Sequence, residues 1–339
     1  MISIGVIGCG HWGPNHIRNF NSLPECNVVA AVDVDSKCLS RMSAMFPGIR
    51  IEEDYRRVLK DSEVDAVVVA TPISTHYSIV RDALLAGKHV LCEKPLCTTT
   101  REARELVELA NELKRALMVG HVFLFNPGIL KVKEFLDAGE LGTVHYLSAT
   151  RTNLGPIRSD VNAAFDLATH DISIFNWFLG SEPELVSAVG ASFLQTNVDD
   201  VVFISLKYPA KVYANIQASW LNPKKVRQIS IVGSKKMLTW DDLELNSPIA
   251  IYDKGANATQ QYSTYGEFLR INMWEGDVRL PKVYLEEPLK AQNRNFLEAV
   301  NNGGKIERSG GKFALGVVGV LEAIRESLRR DGSPVQVRS

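Results

Sequence analysis

The sequence predicts an α/β protein of two domains, a doubly wound parallel sheet followed by an α+β domain on an open-faced, mostly antiparallel sheet. Three observations carry this expectation. Over the first third, short apolar, β-branched runs alternate with amphipathic helical stretches, the pattern of a parallel sheet buried on both faces. From about Thr143 the runs lengthen and several alternate in polarity, as in Val212, Ala214, Ile216, Ala218 and Trp220, which marks strands with one covered face. The 339 residues are also about twice the usual length of a single domain.

The elements follow in order. Ile2–Ile7 is a strand closed by Gly8, and His11–Leu23 is a helix with Trp12, His16, Phe20 and Leu23 at helical spacing. Val28–Val32 is a second strand ended by Asp33, and Asp35–Phe46 a second helix with Leu39, Met42 and Phe46 on one stripe. The alternation repeats through Ile49–Ile51, Tyr55–Leu59, Val64–Ala70, Ser74–Ala86, His89–Cys92, Thr98–Leu113 and Leu117–Val119. Thr98-Thr99-Thr100 ahead of Glu102 has the spacing of a capping box. Later strands are expected at Val144–Thr150, Leu185–Leu194, Val201–Leu206, Val212–Trp220, Gln228–Val232, Lys236–Trp240 and Ile249–Tyr252. One helix, Val161–Leu179, interrupts them, and the polar stretch Lys254–Thr264 is expected to be a loop. Helices at Leu289–Asn301 and Lys312–Arg330 close the chain and can return onto the first domain. The expected division is 1–122 for the first domain and 123–339 for the second.

Composition narrows the function. Lys+Arg 38 against Asp+Glu 39 leaves a formal charge of -1, without the broad positive field that phosphate backbones require, so no nucleic-acid or membrane partner is expected. The five cysteines are odd in number and include no CxxC pair, which indicates neither a disulfide framework nor a zinc site and fits a reducing cytoplasm. No export signal, membrane anchor or resident metal is expected. An extensive one-sided sheet left in water is a liability, so a homo-oligomer, dimer or tetramer, is expected.

Gly8-Cys9-Gly10-His11-Trp12-Gly13 fits GxGxxG and lies between a buried strand and a helix start, where the mechanism of dinucleotide binding demands it. Gly8 permits the tight turn, Gly10 lets a pyrophosphate approach the backbone, and Gly13 allows close helix–strand packing. Gly8, Gly10, His11, Trp12 and Gly13 are therefore candidate cofactor contacts. Asp33 stands at the end of the second strand, where a carboxylate accepts hydrogen bonds from the adenosine ribose and repels a 2′-phosphate. The cofactor expected is NAD. Thr71 and Pro72 end the fourth strand and His76 follows; all three are candidate cofactor contacts at a carboxyl end. Glu93-Lys94-Pro95 follows the fifth strand, where Glu93 and Lys94 reach the same crevice. His121 follows the sixth strand, whereas His16, His89 and His145 are expected to be structural, as is the ring of His11. Asp166 and His170 are four apart, a spacing that on an α-helix puts a carboxylate beside an imidazole capable of taking a hydroxyl proton.

Together GxGxxG, Ala-Thr-Pro ending strand four, Glu-Lys-Pro after strand five and Asp-x-x-x-His in the second domain resemble the Gfo/Idh/MocA oxidoreductase family, across nearly the whole chain. The resemblance implies a Rossmann domain, an open-faced sheet domain, a catalytic lysine at Lys94, and Asp166 and His170 working opposite it. Oxidising a carbinol carbon with nicotinamide requires a base and an electrophilic partner at one oxygen. His170 is assigned as base and Lys94 as the ammonium that meets the alkoxide, with the exchanged roles left open by the sequence. The stretch Arg151–Asn162 supplies guanidinium groups at Arg151 and Arg158 suited to an anion, and Ser159 and Asn162 suited to sugar hydroxyls or an acetamido group. The same stretch also reads as a solvated loop with a helix cap at Ser159 or Asp160. The run Gly120–Pro127, the Arg158–Asn162 stretch and Phe165–Ile172 resemble the branch that oxidises C3 of UDP-N-acetylglucosamine or its uronic acid. On that resemblance Lys94, His121, Asn126, Arg158, Asn162, Asp166 and His170 are the candidate substrate contacts. Dehydrogenases of inositol or a free aldose, NAD-dependent glycosidases and non-catalytic dinucleotide-binding regulators belong to the same resemblance and remain alternatives.

Overall fold

The computed structural model describes residues 1–263 and 266–338, which divide into two compact units. The first holds Met1–Phe125 and Glu286–Glu322, so the segment after the second sheet folds with the N-terminal one. Its parallel sheet comprises β1 (Ile2–Ile7), β2 (Cys26–Val32), β3 (Arg50–Glu52), β4 (Ala66–Val69), β5 (His89–Cys92) and β6 (Leu117–Val119), in the order β3-β2-β1-β4-β5-β6. Helices α1 (Gly13–Phe20), α2 (Ser36–Met45), α3 (Tyr55–Leu59), α4 (Ile73–Leu85) and α5 (Thr100–Glu112) connect the strands. Every residue of β4, β5 and β6 is buried, which is why these strands read as unbroken apolar runs rather than alternating ones. The strand order reverses between β1 and β4, and the carboxyl ends there open the crevice in which such sheets bind ligands. Thr99 caps α5 by accepting a hydrogen bond from the Glu102 amide at 3.3 Å, while the Glu102 carboxylate meets the Thr98 hydroxyl rather than returning to the cap backbone. The expected box is therefore half formed.

The second unit holds Asn126–Leu285 and Ala323–Val337. It contains α6 (Pro127–Asp137), β7 (Val144–Thr152), α7 (Thr169–Leu179), β8 (Leu185–Ala191), β9 (Val201–Lys207), β10 (Tyr213–Ser219), β11 (Val226–Gly233), β12 (Met237–Asp241), β13 (Ile249–Ser263) and β14 (Gly266–Arg279). Two helices of the C-terminal region, α8 (Pro288–Asn301) and α9 (Gly311–Arg329), are followed by the short β15 (Val335–Gln336). The nine-stranded sheet runs β14-β13-β12-β11-β7-β10-β9-β8-β15, antiparallel in every pair except β7 with β10. Leu147, Ala149, Ile204, Leu206, Ile216, Ala218, Ile229 and Ile231 point to the buried face. On the other face Tyr146, Phe203 and Tyr213 are 46%, 50% and 55% exposed, so the sheet is covered on one side within its own unit. All five cysteines are free, and among the described residues no helix is long and apolar enough to cross a membrane.

Three expectations are corrected. The stretch Lys254–Thr264 is strand up to Ser263, Thr264 lying outside the described residues; it pairs with β14 from Lys254↔Glu275 to Ser263↔Gly266. Cross-strand backbone pairing makes this arm, and such pairing is not a property of the sequence pattern along one strand. A Cβ built on Gly255 would come within 2.2 Å of the Trp274 ring opposite, an aromatic covering a strand glycine. The strand expected over Leu185–Leu194 ends at Ala191, where the Asp200 carboxylate accepts the amides of Phe193 and Leu194 and holds a turn. The helix expected over Val161–Leu179 begins after Asn162, and its first segment, Ala164–Ala168, is a π-helical turn.

Candidate active site

In the first unit the turn after β1 is shaped for a dinucleotide. Gly8 has φ +97, and a Cβ there would fall 2.5 Å from the Ala70 carbonyl oxygen across the strand switch. A Cβ on Gly13 would sit 2.1 Å from the Gly8 carbonyl oxygen, so helix α1 approaches the turn as closely as only glycine permits. At Gly10 a Cβ would meet nothing within 4 Å, which leaves the open surface that a pyrophosphate needs. His11 and Trp12 are exposed beside it, ring against ring edge-on at 5.3 Å. Asp33 braces this turn, accepting the Cys9 amide at 2.6 Å and the Asp35 amide at 2.9 Å, and a carboxylate retains further lone pairs for a ribose diol. Arg41, to which no sequence signal points, donates to the Cys9 and Gly10 carbonyls at 2.7 and 3.0 Å. The Cys9 thiol is buried, and burial, with the nearby Asp33 carboxylate, pushes its pKa up to about 12, so it is not a reactive group.

These residues fit NAD. Asp33→Ala is expected to narrow the preference for NAD(H) over NADP(H) by about tenfold, roughly 1.4 kcal/mol, in titrations of both cofactors. Equal affinities in the unmutated protein would remove the ribose role.

The turns after β4 and β5 are tied together from below. Pro72 is exposed at the start of α4, and the Thr71 hydroxyl accepts from Thr75 at 2.8 Å. His76, expected as a cofactor contact, is 1% exposed, with Nδ1 and Nε2 each 2.9 Å from a main-chain carbonyl, those of Pro95 and Thr71. It holds the two turns in place instead. Glu93 is also spent within the protein: Oε1 lies 2.8 Å from Nε2 of the buried His16, and Oε2 accepts the Lys94 amide at 3.2 Å. His16 is thus structural as expected, but its work is to orient the residue before Lys94. A Cβ on Gly120 would lie 3.1 Å from the Glu93 carboxyl, so the glycine leaves that side chain room.

His121 is 1% exposed, and burial, reinforced by the Lys94 ammonium, pushes its pKa down to about 3. Burial also lowers His76 and His89. The unfolded chain takes up these protons as pH falls through 6.5, whereas the folded protein refuses them, at His121 until about pH 3. The stability they contribute is complete above about pH 7 and is lost as pH drops from 6.5 towards 3, by roughly 1.4 kcal/mol per pH unit for each histidine still neutral. Urea midpoints at pH 7.5 and pH 5 should show the loss, with a smaller slope in His121→Gln.

In the second unit Asp166 is gripped from two sides. Its Oδ2 accepts the indole N–H of the buried Trp220 at 3.2 Å, and its Oδ1 is 3.6 Å from an Arg158 guanidinium nitrogen. Arg158, expected to take a substrate anion, closes its fork on Asp160 with bonds of 2.9 and 2.6 Å. Because Asp166 lies in the π-helical turn and His170 in the first turn of α7, the same-face argument from α geometry does not by itself place them. Arg151 is spent on a buried bidentate pair with Asp171 at 2.8 and 2.9 Å, which pins the helix carrying His170 to β7. Breaking such a pair from one side costs about 3–5 kcal/mol.

Asn126 and Asn162, expected at the substrate, serve as helix caps. Asn126 accepts the Gly128 and Ile129 amides and donates to Asp242, while Asn162 accepts the Phe165 amide and donates to Asp199. The cap expected at Ser159 or Asp160 is therefore two to three residues late, at Asn162. Trp220 carries no site signal in the sequence because it continues the apolar alternation of its strand, and only its ring nitrogen distinguishes it from a core residue.

Comparisons with known proteins agree with the two-unit fold. Residues 2–121 match the oxidoreductase family with the NAD-binding Rossmann fold, and residues 129–239 match the GFO/IDH/MocA C-terminal domain. The chain is 30% identical over 261 residues to UDP-N-acetylglucosamine 3-dehydrogenase from Acidithiobacillus ferrooxidans, 74% of this chain and 77% of that one. It is 38% identical over 185 residues to inositol 2-dehydrogenase 2 from Saccharopolyspora erythraea, but the match spans 53% of this chain and only 55% of the relative. Among solved structures, the Acidithiobacillus enzyme superimposes with a TM-score of 0.81 at 25% identity, covering 97% of this chain and 98% of that one.

Proposed function

The chain belongs to the Gfo/Idh/MocA oxidoreductase family, and on that premise we propose that it is an NAD-dependent dehydrogenase of a sugar secondary alcohol, with C3 of a UDP-N-acetylhexosamine or its uronic acid as the favoured position. The observation that carries the activity is Lys94 at the carboxyl end of β5, held by the Glu93–His16 and His76 contacts in a domain whose glycine turn fits NAD. When bound, NAD supplies the hydride acceptor. Asp33 and the Gly8–Gly13 turn hold the dinucleotide, His170 takes the proton of the reacting hydroxyl, and Lys94 meets the developing alkoxide with its ammonium. Asp166 positions His170, itself oriented by Trp220 and Arg158.

The nucleotide-sugar substrate is supported by the extent of similarity to the UDP-N-acetylglucosamine enzyme. The higher local identity to an inositol dehydrogenase favours a cyclic polyol as the second reading. NADH formation with UDP-N-acetylglucosamine, its uronic acid, myo-inositol and glucose separates them. Turnover of a UDP-sugar well above the others supports the first reading, and turnover of myo-inositol alone replaces it. Thermal shifts with the same compounds report binding without chemistry, since a ligand at a hundred times its dissociation constant adds about 2.7 kcal/mol.

The uncovered face of the second sheet, bearing Tyr146, Phe203 and Tyr213, is proposed to bury itself against a second copy of the chain. Light scattering at micromolar concentration should report a dimer or tetramer, and a monomer would remove the proposal.

A further inference from the structure

His121 and Ser309 meet from opposite ends of the first unit. Nδ1 of His121 lies 2.8 Å from the Ser309 hydroxyl, and that hydroxyl lies 2.6 Å from the carbonyl oxygen of Val119. Both residues are 1% exposed. A carbonyl can only accept, so the hydroxyl hydrogen goes to Val119, and the lone pair left on Oγ must receive a proton from His121. The chain of bonds therefore runs Nδ1–H to Oγ–H to the Val119 carbonyl, which places the single proton of a neutral imidazole on Nδ1 and leaves Nε2 with a lone pair. Ser309 cannot readily shift out of this arrangement, because its carbonyl accepts the Val119 amide at 2.9 Å. It also holds φ +63, a left-handed backbone that a serine adopts only when its surroundings impose it. The ring is fixed on another side by Phe313, edge-on at 5.7 Å. Burial and the nearby Lys94 ammonium keep His121 uncharged at neutral pH.

We propose that Ser309 is a positioning residue that locks His121 in the Nδ1–H tautomer, so that Nε2 offers a hydrogen-bond acceptor and never a donor. Such a group selects ligands that present a hydroxyl there and rejects a carboxylate, carbonyl or ether oxygen, whose lone pairs would face its own. Nothing in the sequence joins the two residues, which are 188 positions apart. The kinetic consequence rests on the dehydrogenase reading above, whereas the tautomer does not.

Imidazole-¹⁵N-labelled full-length protein tests the tautomer directly, with the His121 signals identified by their loss in His121→Gln. Between pH 5 and pH 8 they should show protonated Nδ1 and bare Nε2 without titrating. An Nε2–H tautomer or an imidazolium overturns the proposal, whatever the substrate proves to be. Ser309→Gly removes the hydroxyl and suits the positive φ; it should move the signals towards a mixture of tautomers. With UDP-N-acetylglucosamine or myo-inositol, whichever is turned over, kcat/KM should fall about 10- to 100-fold while the dissociation constant of NAD stays unchanged. His121→Gln, whose amide oxygen can stand near the Nε2 position, should retain more activity than His121→Asn, whose shorter amide reaches only the Nδ1 position. Unchanged kcat/KM in Ser309→Gly, or the reverse order of the two His121 variants, would show that the pair is structural only. If neither compound is oxidised, the dehydrogenase reading fails while the labelled spectra still decide the tautomer.

Discussion

Lys94→Ala is expected to abolish turnover, by a factor of about 10³ or more, while NAD binds as before. The separation follows from the placement of the groups. The dinucleotide contacts belong to the Gly8–Gly13 turn and Asp33, braced by Arg41 and by the Cys9 and Asp35 amides, none of which involves the Lys94 side chain. The backbone at position 94 is held from elsewhere as well: Glu93 is fixed by His16, and the Pro95 carbonyl by His76. Losing the ammonium should therefore leave the turn intact and remove the charge that stabilises an alkoxide. Fluorescence titration of NADH and steady-state rates on one preparation check both halves. A variant that keeps most of its kcat would demote Lys94 to a surface lysine, and one that loses NAD would make its role cofactor binding.

His170→Asn is expected to lower kcat by about 10²–10⁴ and to remove the limb along which kcat/KM rises with pH. Binding should survive, because Arg151 and Asp171 anchor the helix independently of the His170 ring. Trp220→Phe deletes the N–H that Asp166 accepts and also the five-membered ring of a buried indole, so it should reproduce a fraction of the loss, about tenfold, together with a fall in thermal stability from the cavity left behind. A pH profile left untouched by His170→Asn would move the base role to Lys94. A rate left unchanged in Trp220→Phe would mean that the indole bond supports the fold rather than the chemistry.

Much of the first unit was legible because its signals are local. A strand buried on both faces must be apolar along its length, a glycine turn must carry glycine where backbones nearly touch, and an acid at the end of β2 follows the turn at a set distance. The Glu93-Lys94-Pro95 and Asp166/His170 groups are likewise signals of residue type and spacing. Residue type alone is ambiguous where it serves two physical ends. Asn126 and Asn162 have the donors and acceptors of a sugar-binding amide, but the same atoms satisfy helix amides, and the structure spends them there. Arg151 and Arg158 suit an anion, yet the anions they meet are Asp171 and Asp160. The β13–β14 arm was not legible because its strands are joined by backbone pairing, which any residue type can make.

By itself, then, the sequence determined the fold class, the dinucleotide turn and which side chains are capable of the chemistry, since periodicity and short spacings are properties of adjacent residues. Only the tertiary structure decided how those side chains are committed. His16 on Glu93, Trp220 on Asp166 and Ser309 on His121 join positions 77, 54 and 188 residues apart. Burial forces each buried polar group to find a partner, and which partner it finds depends on where the folded chain brings donors and acceptors together, which no local pattern records.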